Sequence, residues 1–199
     1  KMENLPPEYD RIESIDCAGR AVLPGYIDAH THLVFAAGRE DEYVQRIKGL
    51  TYEEIAQNGG GILNSAKKTA AAAEEDLYQA ALQRAYEVIA QGTTAIEIKS
   101  GYGLTLENEM KLLRVARRLK ETLPLAVKTT LLGAHALPTE YKQNREGFID
   151  LVCNQMIPQA ADEGLADYVD VFCETGFFTP AETDKILQTG LRYGLKPRV

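Results

Sequence analysis

The chain has 199 residues, 45% of them hydrophobic, so it can bury one sizeable core and is not expected to be disordered. Its net charge of −7 comes from 22 basic and 29 acidic residues without a basic cluster, which argues against nucleic acid as a partner. No apolar stretch approaches the roughly 18 residues that a membrane span needs, and the first residues lack the apolar part of a signal peptide, so we expect a cytoplasmic protein without a membrane partner.

Short β-rich segments alternate with amphipathic segments along most of the sequence. Residues 1–24 have apolar runs without a helical period, which predicts β structure before a turn at Pro24-Gly25. The predicted strands cover residues 26–30, 93–100, 126–135 and 168–174, and a fifth begins at residue 196. The predicted helices cover residues 65–90, the segment from Thr105 to Pro124, and residues 146–163 and 180–193.

The longest predicted helix runs from about Ser65 to Ala90. It follows a glycine-rich region at residues 59–61. Its apolar residues recur along one face, acidic residues precede that face, and Gly92 is placed as a C-terminal stop.

Strands that alternate with helices predict a parallel α/β fold, and a doubly wound sheet remains an alternative. We favour a partial (β/α)8 TIM-type barrel because the reactive side chains follow strand ends, which form one mouth in a barrel. About five of its eight strand-helix units are present. The expected domains are residues 1–24, as part of a small β-sandwich domain and linker, and residues 25–199, as the N-terminal portion of the barrel.

His30 and His32 are candidate metal ligands. Two residues apart on an extended backbone, their imidazoles project to the same side and can reach one ion. The chain has only three histidines, and two of them lie here, at the end of the first predicted strand. Two partly exposed histidines in a loop are the alternative interpretation.

Motifs along the chain resemble a known superfamily. The segment LPGYIDAHTHL, residues 23–33, is similar to the first-strand signature of the amidohydrolase superfamily. The later segments FAAGRE, NGGGI, EIKSGYGL, LLGAHALP and VDVFCE resemble the imidazolonepropionase family in their order and spacing. The resemblance extends from about residue 20 to the end of the chain.

This resemblance implies roles for individual residues. His30 and His32 would bind one divalent metal ion per chain, zinc or iron. Arg39 would contact the substrate of this family, 4-imidazolone-5-propanoate, because a planar guanidinium suits its propionate group. An ion pair between Arg39 and a neighbouring acidic residue is the alternative. Tyr102 and His135 would bind the imidazolone ring or its carbonyl, and His135 would be a catalytic residue. The alternatives are that Tyr102 is a surface tyrosine and that His135 is a structural histidine.

Two further polar residues, Lys99 and Glu174, lie at the ends of predicted strands. Lys99 could be mistaken for the carboxylated lysine that bridges two metals in some amidohydrolases, but the resemblance is to the single-metal branch. Glu174 either supports the site or is an acid that faces solvent.

The resemblance implies metal-dependent hydrolysis of the ring amide of 4-imidazolone-5-propanoate to N-formimino-L-glutamate, in histidine catabolism. The remaining metal ligands and the general base are expected beyond Val199, so the chain alone is expected to be inactive. The alternatives are another cyclic amidohydrolase or nucleobase deaminase, and a non-catalytic α/β binding protein. The expected partner is a small-molecule substrate, and homodimer formation is left open.

Overall fold

The computed structural model describes Pro6, residues 13–51, Glu54 and residues 60–199. Its strands are β1 (Tyr26–Thr31), β2 (Thr93–Lys99), β3 (Ala126–Ala134), β4 (Tyr168–Val171) and β5 (Lys196–Pro197). Its α-helices are α1 (Glu40–Ile47), α2 (Ile62–Ala71), α3 (Glu74–Ala90), α4 (Leu106–Thr122), α5 (Arg145–Leu151), α6 (Ile157–Asp162) and α7 (Pro180–Arg192).

The strands form one five-stranded parallel sheet in the order β1-β2-β3-β4-β5. Helices connect the strands, so the predicted parallel α/β fold is confirmed. Within the described residues β1 and β5 are the two edges of the sheet, and no pairing between them closes a barrel. No helix in this part of the chain is long and apolar enough to cross a bilayer.

Alternation along β2 separates an apolar from a polar side of the sheet. Ile96 and Ile98 are buried in a core cluster with Leu77 of α3. Glu97 and Lys99 point the opposite way, since successive side chains of a strand face opposite sides. Both side chains are 5% exposed, so the side of the sheet that faces away from α3 is enclosed and polar at this strand. This second side carries the candidate site.

The prediction of one helix over residues 65–90 is wrong in one respect, because this segment forms two helices, α2 and α3. Ala72 and Ala73 between them are extended, with ψ angles of 141° and 148°. Lys111 Nζ donates to the carbonyl oxygens of Thr69, Ala70 and Ala72 at 3.0, 3.0 and 3.1 Å. Satisfying the last carbonyls of α2 in this way stabilises a break that the alanine-rich sequence does not favour.

The helix predicted over residues 146–163 is confirmed in extent, but its middle turn, Val152–Met156, is a wider π turn. Pro158 follows at the start of α6. A proline lacks the N–H donor and crowds the carbonyl of the preceding turn, and widening that turn accommodates both effects.

Other differences concern the first part of the chain. Helix α1 was not predicted, and it begins directly after Arg39. Residues 13–25 contain a turn with a hydrogen bond from Arg20 N to Cys17 O and no strand, so the β structure predicted there is absent. Residues 1–5, 7–12, 52–53 and 55–59 lie outside the described residues, so Gly59 of the glycine-rich region is not described. The assignment of residues 1–24 to a β domain stays a prediction.

Helix α7 begins with a capping box that an arginine reinforces. The Thr179 hydroxyl accepts from Glu182 N–H, and the Glu182 carboxylate accepts from Thr179 N–H at 2.8 Å. Arg145 Nε donates to the same carboxylate at 2.5 Å. The Arg145 hydrogen bond, against a smaller opposing effect of burial, lowers the pKa of Glu182 from 4.5 to about 2. The cap is therefore formed by an ionised Glu182.

We expect Glu182→Gln to lower the free energy of unfolding by about 1 kcal/mol at pH 7, the usual value of a helix cap. Because the pKa of Glu182 is depressed on folding, its contribution is complete above pH 4.5 and is lost as the pH falls towards about 2. Urea unfolding at several pH values should show the difference between parent and variant shrinking over this range. Glu87→Gln, on α3, is the control, and a difference that does not change with pH would contradict the prediction.

Candidate active site

All three histidines of the chain lie together at the carboxyl ends of the strands. The ring centroids of His30 and His32 are 5.5 Å apart, and His32 stacks on His135 at 5.0 Å. Tyr102, from the loop after β2, lies 4.7 Å from His32. Strands β1 and β3 and the loop after β2 therefore bring four of the five predicted site residues into one ring cluster.

His32 has the properties of a neutral imidazole with a free nitrogen. Burial, and then the proximity of His135 and His30, lower its pKa from 6.5 to about 3. Its Nδ1 is buried and has no hydrogen-bond partner among the described residues. A neutral ring with a nitrogen available for coordination is what a divalent metal requires of histidine. His30 is exposed, and its backbone N–H donates to Asp28.

His135 is held in one tautomer by the backbone. Its Nδ1 lies 2.9 Å from the carbonyl oxygen of Gly101, and since a carbonyl only accepts, Nδ1 carries the proton. Nε2 is then an acceptor. Burial lowers the pKa of His135, which favours this neutral form. Gly101 makes the approach sterically feasible, because a Cβ there would lie 2.7 Å from Nδ1.

Arg39 and Tyr102 line a small cavity of about 170 Å³ beside His32. Arg39 Nε donates to Glu42 at 2.7 Å, so the ion pair with a neighbouring acidic residue is present. Burial raises the pKa of Tyr102, and the nearby charge of Arg39 opposes that rise. The phenol is therefore protonated at neutral pH and can donate a hydrogen bond.

A larger cavity, of about 390 Å³, also has His32 in its wall. His30, His135 and a buried cluster of charged residues line it. In that cluster Lys99 Nζ lies 2.8 Å from Glu97 Oε1 and 2.5 Å from Asp170 Oδ2. His32 thus lines both the cavity with ionic walls and the smaller one that Arg39 lines.

Sequence reasoning missed Glu97 and Asp170. Glu97 and Lys99 alternate with Ile96 and Ile98 in a strand whose apolar residues are buried, and this pattern could have indicated a polar interior. The Lys99 side chain lies between the carboxylates of Glu97, on the same strand, and Asp170, on β4. An anionic carboxylated lysine would be repelled there, which agrees with the expectation that Lys99 is not a metal-bridging residue.

Glu174 lines neither of these two cavities. It is exposed, and its carboxylate accepts from Thr175 N–H at 2.7 Å. The interpretation as a strand-end acid facing solvent therefore fits the structure better than a supporting role.

The described residues fit part of a metal site. No group of three or more His, Cys, Asp or Glu side chains among them is arranged to hold an ion. His30 and His32 supply two imidazoles, one with an unpartnered buried nitrogen, whereas a catalytic zinc usually has three protein ligands. At least one further ligand is needed for a complete catalytic site.

Fold and site together define a parallel α/β protein with a polar, histidine-lined site at the carboxyl ends of its strands. No family model matches the chain. The imidazolonepropionase of Flavobacterium johnsoniae is 54% identical over 198 residues, which are 100% of this chain and 48% of that protein. The imidazolonepropionase of Flavobacterium psychrophilum is 53% identical over the same share of both chains. That of Aeromonas hydrophila is 52% identical over 180 residues, 90% of this chain and 44% of its own length.

The chain is therefore a homologue of the imidazolonepropionases along its whole length. It spans about half the length of the curated relatives it matches.

Proposed function

We propose that the complete protein hydrolyses the ring amide of 4-imidazolone-5-propanoate to N-formimino-L-glutamate, a step of histidine catabolism. The observation that carries this proposal is the convergence of His30, His32, Tyr102 and His135 in a chain that is 54% identical to an imidazolonepropionase over its whole length. The reaction class would be hydrolysis of a cyclic amide C–N bond.

We also propose that the parallel sheet is part of a (β/α)8 barrel. The strand order β1-β2-β3-β4-β5 runs in sequence without reversal, as barrel strands do. A doubly wound sheet reverses its order at the point where its ligand binds, and this sheet has no such point among the described strands. Residues 25–199 would then be the N-terminal portion of the barrel domain, and residues 1–24 part of a small β domain.

His30 and His32 would hold one divalent ion, zinc or iron, together with ligands from the rest of the protein. Such an ion supplies an activated water and polarises the scissile carbonyl. His32 suits this role because burial keeps its imidazole neutral. Since two imidazoles do not complete a catalytic site, we expect residues 1–199 alone to lack turnover.

The other side chains would bind and orient the substrate. The Tyr102 hydroxyl can donate to a carbonyl oxygen or to developing negative charge, because its pKa is raised. His135 Nε2 can accept from a ring N–H, because Nδ1 is committed to Gly101. Arg39 can take the propionate in the small cavity, where the substrate carboxylate would compete with Glu42 for the guanidinium.

Turnover of the complete protein is the direct test of this function. The loss of imidazolonepropionate absorbance should be followed with zinc and with iron. Guanine, cytosine and dihydroorotate should be assayed separately as alternative substrates. We expect imidazolonepropionate to be the preferred substrate. Preference for a nucleobase would favour a deaminase, and the absence of bound metal and of all turnover would favour a binding protein.

Arg39→Ala is expected to raise KM for imidazolonepropionate by about 10- to 100-fold with little change in kcat, because a hydrogen bond to a charged group contributes about 1.5 to 3 kcal/mol. Steady-state kinetics of the complete protein measure this change. Arg46→Ala, which changes an exposed arginine on α1, the helix that follows Arg39, is the control and should leave KM unaltered. An unchanged KM in Arg39→Ala would remove the carboxylate-binding role.

A small-molecule substrate, a cytoplasmic location and the absence of nucleic-acid and membrane partners stay predictions. Homodimer formation also stays open, and the molecular mass of the complete protein in solution would decide it.

A further inference from the structure

Glu109 is a buried carboxylate that the proposed function does not use. It lies in the first turn of α4, beneath the loop of residues 100–104 that carries Tyr102, and it is 0% exposed. A fully buried acidic side chain is costly unless hydrogen bonds satisfy it, so its contacts indicate what keeps it there.

The carboxylate of Glu109 collects the backbone donors of the Tyr102 loop. Oε2 accepts from Gly101 N–H at 2.8 Å, and Oε1 accepts from Gly103 N–H at 2.8 Å and Leu104 N–H at 2.7 Å. Ser100 adds a side-chain hydrogen bond. Burial raises the pKa of Glu109, and these hydrogen bonds oppose the rise. One side chain thus satisfies three backbone donors of a single loop.

These hydrogen bonds hold the loop in a conformation that its backbone would not otherwise favour. Leu104 has φ of 57°, the left-handed region, which costs a residue with a Cβ about 1 to 2 kcal/mol. Gly103 packs so closely on α4 that a Cβ there would lie 2.4 Å from Glu109 N. The hydrogen bonds to Glu109 offset this cost, so the shape of the loop depends on the carboxylate.

The same loop sets the positions of two predicted substrate-binding residues. Gly101, which donates its N–H to Glu109, accepts the Nδ1 proton of His135 through its carbonyl. Tyr102, the next residue, places its ring 4.7 Å from His32 and 5.6 Å from His135. A change in the loop backbone would therefore move the phenol and remove the acceptor that fixes the tautomer of His135.

We propose that Glu109 is a positioning residue that orients Tyr102 and fixes His135 in its Nδ1–H tautomer through the backbone of residues 101–104. The part of this proposal that concerns substrate affinity rests on the proposed function. The part that concerns the tautomer does not, because it follows from protein contacts alone.

The test is Glu109→Gln in the complete protein. The variant keeps the size of the side chain, but its amide NH₂ would face a backbone N–H and lose at least one of the accepted hydrogen bonds. Nitrogen-15 NMR of histidine-labelled protein distinguishes the two tautomers directly. The signals of His135 are assigned as those that disappear in His135→Gln. We expect the Nδ1–H form to dominate in the parent and to mix with the Nε2–H form in Glu109→Gln. We also expect KM for imidazolonepropionate to rise by about 10-fold at unchanged zinc content.

Glu182→Gln is the matched control, since it removes a capping carboxylate of α7 outside the site. It should alter neither the His135 signals nor KM. If Glu109→Gln does not fold, Glu109→Asp gives the same test, because it keeps the charge and shortens the reach by one methylene.

Unchanged His135 signals in a folded Glu109 variant would overturn the proposal, and so would an equal rise of KM in Glu182→Gln. If the parent has no turnover, the proposed function fails while the NMR result still decides the positioning role.

Discussion

His32→Gln in the complete protein is expected to abolish turnover and to weaken zinc binding by more than about 100-fold. Loss of a residue that only supports a metal ligand already costs about 10- to 100-fold in affinity, and a direct ligand should cost at least as much. His32 is the stronger choice of the pair because its Nδ1 is buried without a partner. Zinc content after dialysis, and competition with a chromophoric chelator, measure the effect.

His135→Gln is the control for the loss of zinc in His32→Gln, because it removes a neighbouring histidine that is not a predicted metal ligand. His135 stacks on His32 at 5.0 Å and would contact the substrate, while its Nδ1 is already occupied by Gly101. We expect this variant to keep its zinc and to lose most of its turnover. Equal zinc content in the parent and in both variants would show that His32 is not a ligand.

Lys99→Met is expected to lower the free energy of unfolding of the complete protein by about 3 to 5 kcal/mol, the cost of breaking a buried ion pair. Its ammonium is the partner of both Glu97 and Asp170, and all three side chains are less than 10% exposed. Arg198, 3.6 Å from Glu97, is a further cation near this cluster, and its side chain is 46% exposed. Without Lys99, two buried carboxylates would face each other with little compensation. Chemical denaturation is the appropriate measurement.

Lys185→Met is the control for the loss of a lysine ion pair. Lys185 lies 2.8 Å from Asp150, and both side chains are about half exposed, at 49% and 50%. Solvent screens such a pair, so its loss should cost less than about 1 kcal/mol. Similar losses in the two variants would contradict the view that Lys99 neutralises a buried site.

The sheet was predictable because its strands carry local signals. Short apolar or β-branched segments between amphipathic segments marked the first four strands and the start of the fifth, and the histidines marked the end of β1. The interruption at Ala72 and Ala73 was not predictable in this way. Alanine favours a continuous helix, and the hydrogen bonds that stabilise the break come from Lys111, about 40 residues further along the chain.

The candidate site was predictable where one segment carried the signal and unpredictable where partners came from separate strands. The spacing of His30 and His32 on an extended backbone predicts that both rings project to the same side. No local pattern shows that Asp170 of β4 meets Lys99 of β2, or that Glu109 of α4 binds the backbone on either side of Tyr102. Such contacts depend on how helices and strands pack, which a single sequence does not specify.

Pairing of every strand with its successor also has a consequence for folding on the ribosome. Of these segments, β1, which contains His30 and directly precedes His32, leaves the exit tunnel first, and the segments with Tyr102 and His135 follow in the order in which they join the sheet. The aromatic rings of the site can therefore assemble on the nascent chain before β4 and β5 have emerged from the tunnel. Until those strands arrive, the edge of β3 is an exposed surface on which a chaperone could act.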